Sequence, residues 1–363
     1  MLESAPCRWG ILSTAAIAKK NWRAIAKTSS GTVVAVASRR VEAANAFIEE
    51  CQLSCPQRKK PDALGSYEAL LDRPDIDAVY IPLPTGLRKE WIIAAAKRGK
   101  HVLAEKPSAL SAKHLEEILS VCKQNGIQYM DGVMFMHSAR MGMLRQSLDD
   151  GESIGDIRRI ACHFSFFGGD DFSRSNIRVD SELEPYGCLG DLGWYCVRFL
   201  LWANKWQMPT KVTANCIQSL KGSSSEKTVP ADFSAEFAFA NGSTGSFYCS
   251  FLTGNQQWAH ISGTKGNIFL NDFVLPNFGS EVAFEVENPR FAIQGCDFHM
   301  QEHTRRIGVQ EYASGYAPSQ EINMFERFNQ IVLSKKLEPH WGEIAMSTQR
   351  VVDELFAGNQ PRT

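Results

Sequence analysis

A chain of 363 residues is longer than one hydrophobic core usually supports, which predicts two domains of unequal design. With 44% hydrophobic and 22% charged residues it has ample material for those cores, and a net charge of -1 excludes the basic excess that a nucleic-acid surface needs. The ten cysteines carry no metal spacing and read as reduced, mostly buried thiols, and no run approaches the roughly 18 apolar residues of a membrane span. The start Met-Leu-Glu-Ser-Ala-Pro has neither a basic flank nor an apolar run, so the expected location is cytoplasmic, with no membrane or nucleic-acid partner.

The chain begins with a short apolar strand, Trp9 to Leu12, then Ser13-Thr14-Ala15-Ala16-Ile17-Ala18 and a helical run from Lys19 to Ala26. A second strand, Val33 to Ala37, ends in Ser38-Arg39-Arg40 and passes into the alanine-rich helix Val41 to Glu50. This is a βαβ unit. In a dinucleotide-binding unit the turn after the first strand carries glycines that let the backbone approach a pyrophosphate, whereas Ser13, Ala15 and Ala18 take those places here. Taken alone, the segment is equally a plain strand-turn-helix with small residues for close packing.

The end of the second strand adds a cofactor signal. An acidic residue there accepts hydrogen bonds from the ribose hydroxyls of NAD, but Ser38 and Arg39 offer donors and positive charge suited to a 2′-phosphate, so NADP (NADPH) is expected over NAD. Arg39 and Arg40 also read as a solvated pair at a helix start, since only one of them need touch phosphate. The cofactor-binding candidates from this unit are Ser13, Thr14, Ala15, Ile17, Ser38 and Arg39.

The alternation continues with a helix at Tyr67 to Leu71, a strand at Ala78 to Ile81 and a helix from Arg88 to Lys97 closed by Gly99. His101 to Ala104 is the next strand, Ala112 to Asn125 a helix stopped by Gly126, and Gln128 to Gly132 a further strand. Strands and helices at this spacing predict a parallel sheet covered on both faces, an α/β Rossmann domain over residues 1–130. The loop Pro82-Leu83-Pro84-Thr85 and the tripeptide Glu105-Lys106-Pro107 leave the carboxyl edge of that sheet, where open α/β sheets bind ligands. Pro107 keeps the residue before it extended, which places Lys106 at the strand exit. Pro82, Leu83, Pro84, Glu105 and Lys106 therefore join the cofactor candidates, at its nicotinamide end.

From about Arg158 the pattern changes to strands: Ile160 to Phe167, Lys211 to Ser219, Phe233 to Ala240, Gly245 to Leu252, Trp258 to Ser262, Asn267 to Leu270 and Glu281 to Val286. Asn241-Gly242 and Gly263-Thr264-Lys265-Gly266 read as hairpin turns. Residues 131–363 are thus expected to form an α+β domain with a large, mostly antiparallel open sheet, its C-terminal helices (Ser319 to Leu333, Trp341 to Phe356) free to pack back on the first domain. Such a layout belongs to enzymes whose active site lies in the interdomain cleft. The segment Gly190-Asp191-Leu192-Gly193-Trp194-Tyr195 opens a helix predicted from Gly190 to Trp202, and Asp191 and Tyr195, four apart, would share its face. Asp191 is alternatively a helix N-cap and Tyr195 an ordinary core residue.

Together the Trp-Gly-Ile-Leu start, Asp75-Ile76-Asp77-Ala78-Val79-Tyr80-Ile81-Pro82, Glu105-Lys106-Pro107, Gly190 to Tyr195 and Gly263 to Gly266 resemble the Gfo/Idh/MocA oxidoreductase family, over nearly the whole chain and in the right order. Within it the chain is most similar to the branch of dimeric dihydrodiol and NADP-dependent xylose dehydrogenases. The resemblance implies that Lys106 contacts the reacting substrate oxygen, that Tyr195 is the general acid/base, and that Asp191 binds a substrate hydroxyl or orients the site. The chemistry is consistent: hydride transfer at a secondary alcohol leaves an alkoxide-like oxygen that needs a proton partner. Lowering a tyrosine pKa from near 10 by about 3 units takes about 4 kcal/mol of preferential phenolate stabilisation, for which an ammonium such as Lys106 is suited. His137, Phe167, Asp191 and Trp194 are the substrate-binding candidates. Arg88, standing near where relatives often carry histidine, and Met134-Phe135-Met136-His137 in place of a more polar stretch, imply a pocket less suited to a plain hexose.

His299-Met300-Gln301-Glu302-His303 matches an H-x-x-E-H zinc pattern but lacks a third ligand, so no metal is expected and the histidines read as part of a late loop. His163 reads as a satisfied strand histidine, Phe164, Phe166, Phe167 and Phe172 as core or an apolar substrate wall, and Asp170 and Asp171 as a turn. The expected function is an NADP-dependent oxidoreductase acting on a secondary alcohol or carbonyl of a sugar, cyclic polyol, dihydrodiol or other small hydroxylated metabolite. The alternatives are a non-catalytic NADP-binding regulatory or scaffold protein and an enzyme that keeps its NADP through an internal redox cycle. An uncovered apolar sheet face also predicts a homo-oligomer, a dimer through that face.

Overall fold

The computed structural model describes residues 5–359; Met1 to Ser4, read above for a targeting signal, lie outside them. Its contacts define two compact units, the first running to His137 and taking in Ser314–Arg350, the second holding Ser138–Ala313 and the residues that follow Arg350.

The first unit alternates strands and helices: β1 (Cys7–Leu12), α1 (Ala16–Ala26), β2 (Gly31–Ala37), α2 (Val41–Ser54), β3 (Asp62–Leu64), α3 (Tyr67–Leu71), β4 (Ala78–Ile81), α4 (Thr85–Lys97), β5 (His101–Ala104), α5 (Ala112–Gln124) and β6 (Tyr129–Asp131). All six strands are parallel, in the order β3-β2-β1-β4-β5-β6. The winding reverses between β1 and β4, which makes the carboxyl ends of those two strands the switch point where such sheets hold ligands. Central strands read as unbroken apolar runs because helices cover both faces; every residue of β4 is buried. A 3-10 turn, Met134–His137, closes this stretch.

The second unit contains α6 (Ala139–Asp149), β7 (Ile157–Ser165), α7 (Gly169–Ser175) and α8 (Trp194–Ala203). The strands β8 (Lys211–Leu220), β9 (Val229–Ala238), β10 (Thr244–Ser250), β11 (Gln256–Gly263), β12 (Asn267–Leu270) and β13 (Glu281–Glu287) follow, then β14 (Arg290–Gln294), β15 (Asp297–Gln301) and β16 (Thr304–Gln310). Eight of them form one sheet, β16-β13-β12-β11-β7-β10-β9-β8, in which only β7 and β10 run parallel. Alternate residues of β7, Ile160, Cys162 and Phe164, face the core beneath α8, where Phe273 packs edge to face with Phe164 and Phe199 and the Tyr195 ring lies tilted against Phe164. Burying an aromatic ring of this kind contributes about 1.5–3 kcal/mol.

The chain ends with α9 (Gln320–Ser334) and α10 (His340–Ala357). Within the first unit α9 lies against β1: the Trp9 indole donates to Asn329 Oδ1 at 2.8 Å, its ring meets Phe325 and Phe328, and Lys20 pairs with Glu321 at 2.6 Å.

Three local expectations need correction. The segment before α8 is a π-helical turn, Leu189–Gly193, so Asp191 and Tyr195 stand on either side of a π-to-α junction instead of on one regular helix. Two glycines weaken the helix there, and at Gly193 a Cβ would come within 3.0 Å of Leu189 and 3.3 Å of Cys249. The late loop is a hairpin: His299 belongs to β15, paired in register with Ala292 of β14, and His303 lies in the turn before β16, so the two share no helix face. Asp170 and Asp171 lie in the first turn of α7.

Candidate active site

The turn after β1 fits a dinucleotide by a route other than glycine. Ser13 has φ of 125°, a region glycine enters freely and other residues rarely adopt. Its N–H donates to the Ala37 carbonyl at 2.9 Å and its Oγ accepts from the Ala15 N–H at 3.1 Å, so the serine both takes the glycine conformation and ties the turn to β2. Thr14 and Ala15 are half-buried and Ile17 is exposed. Helix α1 begins without a side-chain cap and without an acidic residue in its first turn, which leaves its positive end suited to a pyrophosphate.

At the neighbouring strand end, Ser38 donates its N–H to Leu64 and Arg39 is exposed. The half-buried Tyr67, which sequence reasoning missed as a site residue, shares this corner. Burial raises its phenol pKa, opposed by the Arg39 charge and by the Ser13 hydroxyl, while its ring stands edge-on to Trp91 at 4.8 Å. No motif marks it; only the pairing of β2 with β3 brings the start of α3 beside the end of β2.

Lys106 is half-buried at the exit of β5, and the Lys106–Pro107 peptide is cis. The residues around it are anchored one by one. The Tyr80 hydroxyl donates to Glu105 Oε1 at 2.7 Å, and the Asn21 amide donates to the same hydroxyl. Burial, reinforced by the Glu105 charge, pushes the Tyr80 pKa far up, so it remains a donor. Glu105, half-buried, is thus anchored to β4 through that bond. On the other side of Lys106, the Arg88 guanidinium donates to the Pro107 carbonyl through Nη1 and to the Leu83 carbonyl through Nε at 3.0 Å and Nη2 at 2.7 Å. Arg88 is 2% exposed, so the expectation that it reshapes a substrate pocket is corrected: its donors are directed at backbone carbonyls. Further on, Ser108 Oγ donates to Asp131 at 3.4 Å and the Ala109 N–H to Gln349 at 3.1 Å. Pro82 and Leu83 are buried and Pro84 is the residue before α4. His137, at the end of its 3-10 turn, stacks on Trp341 at 4.6 Å.

In the second unit, Asp191 accepts from Arg178 Nε at 2.8 Å. The Asp191 charge is the main cause that raises the Arg178 pKa, and Glu184 and Tyr195 act in the same direction, which places Arg178 in the electrostatic neighbourhood of Tyr195. Arg178 lies on a 3-10 turn, Ile177–Val179, that carries no sequence signal. Tyr195 is almost fully buried, its ring 5.7 Å from Phe164. Trp194 has no exposed surface and its indole N–H has no partner among the described residues, so it packs inside the unit, whereas Phe167 is 68% exposed. Among the described residues no group of three or more His, Cys, Asp or Glu side chains is arranged to hold a metal, no helix is long and apolar enough to cross a membrane, and the cysteines are free thiols.

Comparison with known proteins identifies the family. Residues 7–133 match the family described as Oxidoreductase family, NAD-binding Rossmann fold, and residues 142–269 match the GFO/IDH/MocA C-terminal domain. The chain is 31% identical to D-xylose 1-dehydrogenase (NADP(+)) 2 of Haloferax volcanii over 288 residues, 77% of this chain and 81% of that protein. It is 31% identical over 261 residues to trans-1,2-dihydrobenzene-1,2-diol dehydrogenase of Mus musculus, 71% of this chain and 73% of that one. Among solved structures it superposes on KijD10, a 3-ketoreductase from Actinomadura kijaniata crystallised with NADP and TDP-benzene, with a TM-score of 0.79, 24% identity and 98% of each chain covered, a likeness of fold.

Proposed function

The chain belongs to the Gfo/Idh/MocA oxidoreductase family, and from that premise we propose that it is an NADP-dependent enzyme interconverting a secondary alcohol and a carbonyl on a small hydroxylated metabolite. The substrate class is a sugar, a cyclic polyol or a dihydrodiol, as in the xylose and dihydrodiol dehydrogenases it resembles. The observation that carries the reading is Lys106 at the carboxyl edge of the Rossmann sheet, with the backbone before and after it anchored by Tyr80 and Arg88.

When bound, NADP supplies the hydride chemistry. The residues that would hold it are Ser13 to Ala15 and the first turn of α1 at the pyrophosphate, Ser38 and Arg39 at the 2′-phosphate, and the Pro82 to Pro84 loop with Glu105 and Lys106 toward the nicotinamide. The chain's own residues do the rest. Lys106 hydrogen-bonds the reacting oxygen and stabilises its developing negative charge. Tyr195 gives or takes the proton on that oxygen. Asp191, held by Arg178, takes a substrate hydroxyl, while His137 and Phe167 offer aromatic surface and Trp194 supports α8 from within. A cytoplasmic location and a homodimer through the outward face of the eight-stranded sheet complete the proposal.

The test is titration of the protein with NADPH, followed by assay of D-xylose, other aldoses and trans-dihydrobenzenediol against the Lys106→Met variant. The variant should still bind NADPH through the pyrophosphate and 2′-phosphate contacts it keeps, and lose about 10²–10³-fold in kcat, the loss seen when an oxyanion donor is removed. A variant that keeps its turnover removes Lys106 from the chemistry, and a parent that binds no nicotinamide nucleotide overturns the assignment.

A further inference from the structure

We propose that Arg88 is a positioning residue that couples the Pro82 to Pro84 loop to the Lys106 loop, so that the lysine is held in register with the loop beside it. The proposal rests on the reading that Lys106 acts on substrate. It begins from the position of the charge. Taking a guanidinium out of water costs several kcal/mol, roughly, unless hydrogen bonds replace the lost hydration, and an apolar side chain would fill the same space without that cost. Arg88 is 2% exposed and meets the requirement with two carbonyls. One, Leu83, is local, five residues before it. The other, Pro107, is nineteen residues downstream, beyond the next strand and directly after Lys106.

Several observations make this a coupling and not just a filled cavity. Strands β4 and β5 are parallel neighbours, Ile81 opposite Ala104, so the two loops leave adjacent points of the sheet edge. Arg88 lies in the first turn of α4, which starts at Thr85, so a movement of the Pro82 to Pro84 loop carries Arg88 with it. The planar fork of arginine donates in fixed directions to both carbonyls at once, which a lysine ammonium on a flexible stem cannot reproduce. On the far side of Lys106, Glu105 is bound by Tyr80, so Lys106 sits between two anchored neighbours and Arg88 supplies the one that reports on the adjacent loop.

The experiment compares the full chain with Arg88→Lys and Arg88→Met, each with NADPH bound, by hydrogen exchange and by turnover on the best substrate of the panel above. Peptides covering residues 83–87 and those covering 106–110 should both exchange faster by about tenfold or more, with the β1 and β2 peptides unchanged, because only a local opening is released. The NADPH Kd should stay within about threefold, and kcat per NADPH-binding site should fall about ten- to hundredfold with a larger isotope effect from deuterated NADPH, as expected for a misplaced catalytic group. If only one loop loosens, or neither does, the coupling is refuted. It is equally refuted if the whole first unit loosens while kcat per site stays at the parent value, which is the signature of a residue that only stabilises the fold. Should Arg88→Met fail to fold, Arg88→Lys decides alone. Should the parent turn over no substrate of the panel, the functional reading fails, and hydrogen exchange still decides the coupling.

Discussion

Replacing Arg39 by alanine tests the cofactor corner most directly. The guanidinium stands exposed just beyond β2, beside the half-buried Tyr67, and is proposed to meet the 2′-phosphate that distinguishes NADPH from NADH. Hydrogen bonds to charged groups contribute about 1.5–3 kcal/mol, and an exposed arginine belongs near the low end because water and salt screen it. A loss of about 1.5–2 kcal/mol corresponds to a rise of about 10- to 30-fold in the NADPH Kd. NADH lacks the phosphate, so its Kd should move less than about twofold, and the parent's preference for NADPH should shrink with added salt while the variant's does not. The assay is quenching of tryptophan fluorescence in parallel titrations with the two nucleotides, at low and high salt. Arg40, exposed and acting as the backbone N-cap of α2, serves as the control, and its alanine variant should bind both nucleotides as the parent does. Equal weakening toward NADPH and NADH would refute the reasoning, and so would an effect carried by Arg40.

Other consequences concern stability. His101, His163 and His260 all have pKa values lowered by burial, and the His101 Nδ1 accepts the Gln128 N–H at 2.9 Å, which requires that nitrogen to be unprotonated. The unfolded chain therefore takes up these protons first as the pH falls, so the stability they contribute is complete above about pH 6.5, the ordinary histidine value, and is lost below it. The melting temperature should decline from pH 6.5 to 5.5 and His101→Asn should flatten part of that slope; a parent whose melting temperature is level over this window contradicts the prediction. In the second unit, Arg140 is 1% exposed and donates to the Asp272 carboxylate and to two carbonyls, Asp272 at 2.8 Å and Ala283 at 3.1 Å. Arg140→Met should cost about 3–5 kcal/mol in denaturant unfolding because it leaves Asp272 without its partner, and adding Asp272→Asn should recover part of that. A cost below about 1 kcal/mol would mean that water replaces the arginine.

Much of the first unit could be read in advance because its strands obey one simple rule. Ala78–Ile81 and His101–Ala104 have the bounds expected of them, since a strand covered on both faces is a short unbroken apolar run and its neighbours are helices with recognisable stops. Asp62–Leu64 escaped notice because three residues at a sheet edge carry too little pattern. The β14–β15 hairpin is a different kind of miss. Phe291 and Ile293 face the same side as Met300 and Phe298, a regular alternation around the turn at Gly295, but both strands are exposed at every residue, so no buried face marks them. The site residues divide in the same way. Lys106, Asp191 and Tyr195 announce themselves through motifs, whereas Arg88 looks like any arginine one turn into a helix until a carbonyl nineteen residues away is brought beside it. Arg178 and Tyr67 have no local signature either, because their partners Asp191, Arg39 and Ser13 lie in other elements.

Three departures from local rules fall at or beside segments where function was expected, and this changes how the glycine-poor turn should be understood. A serine held at positive φ costs of order 1–3 kcal/mol, a buried arginine costs desolvation, and a π-turn interrupts a helix. All three occur at segments named for chemistry: Ser13 after β1, Arg88 between the two loops, and Leu189–Gly193 before Tyr195. Each is held by specific contacts, Ser13 by the Ala37 carbonyl and the Ala15 N–H. A turn that had merely lost its glycines would have relaxed to a conformation serine prefers. Ser13 instead keeps the strained backbone that a close approach to pyrophosphate requires and adds a hydroxyl of its own beside Tyr67. The turn is therefore better regarded as a glycine turn rebuilt with a side chain than as an eroded fingerprint, and Ser13→Gly is expected to leave nucleotide binding intact.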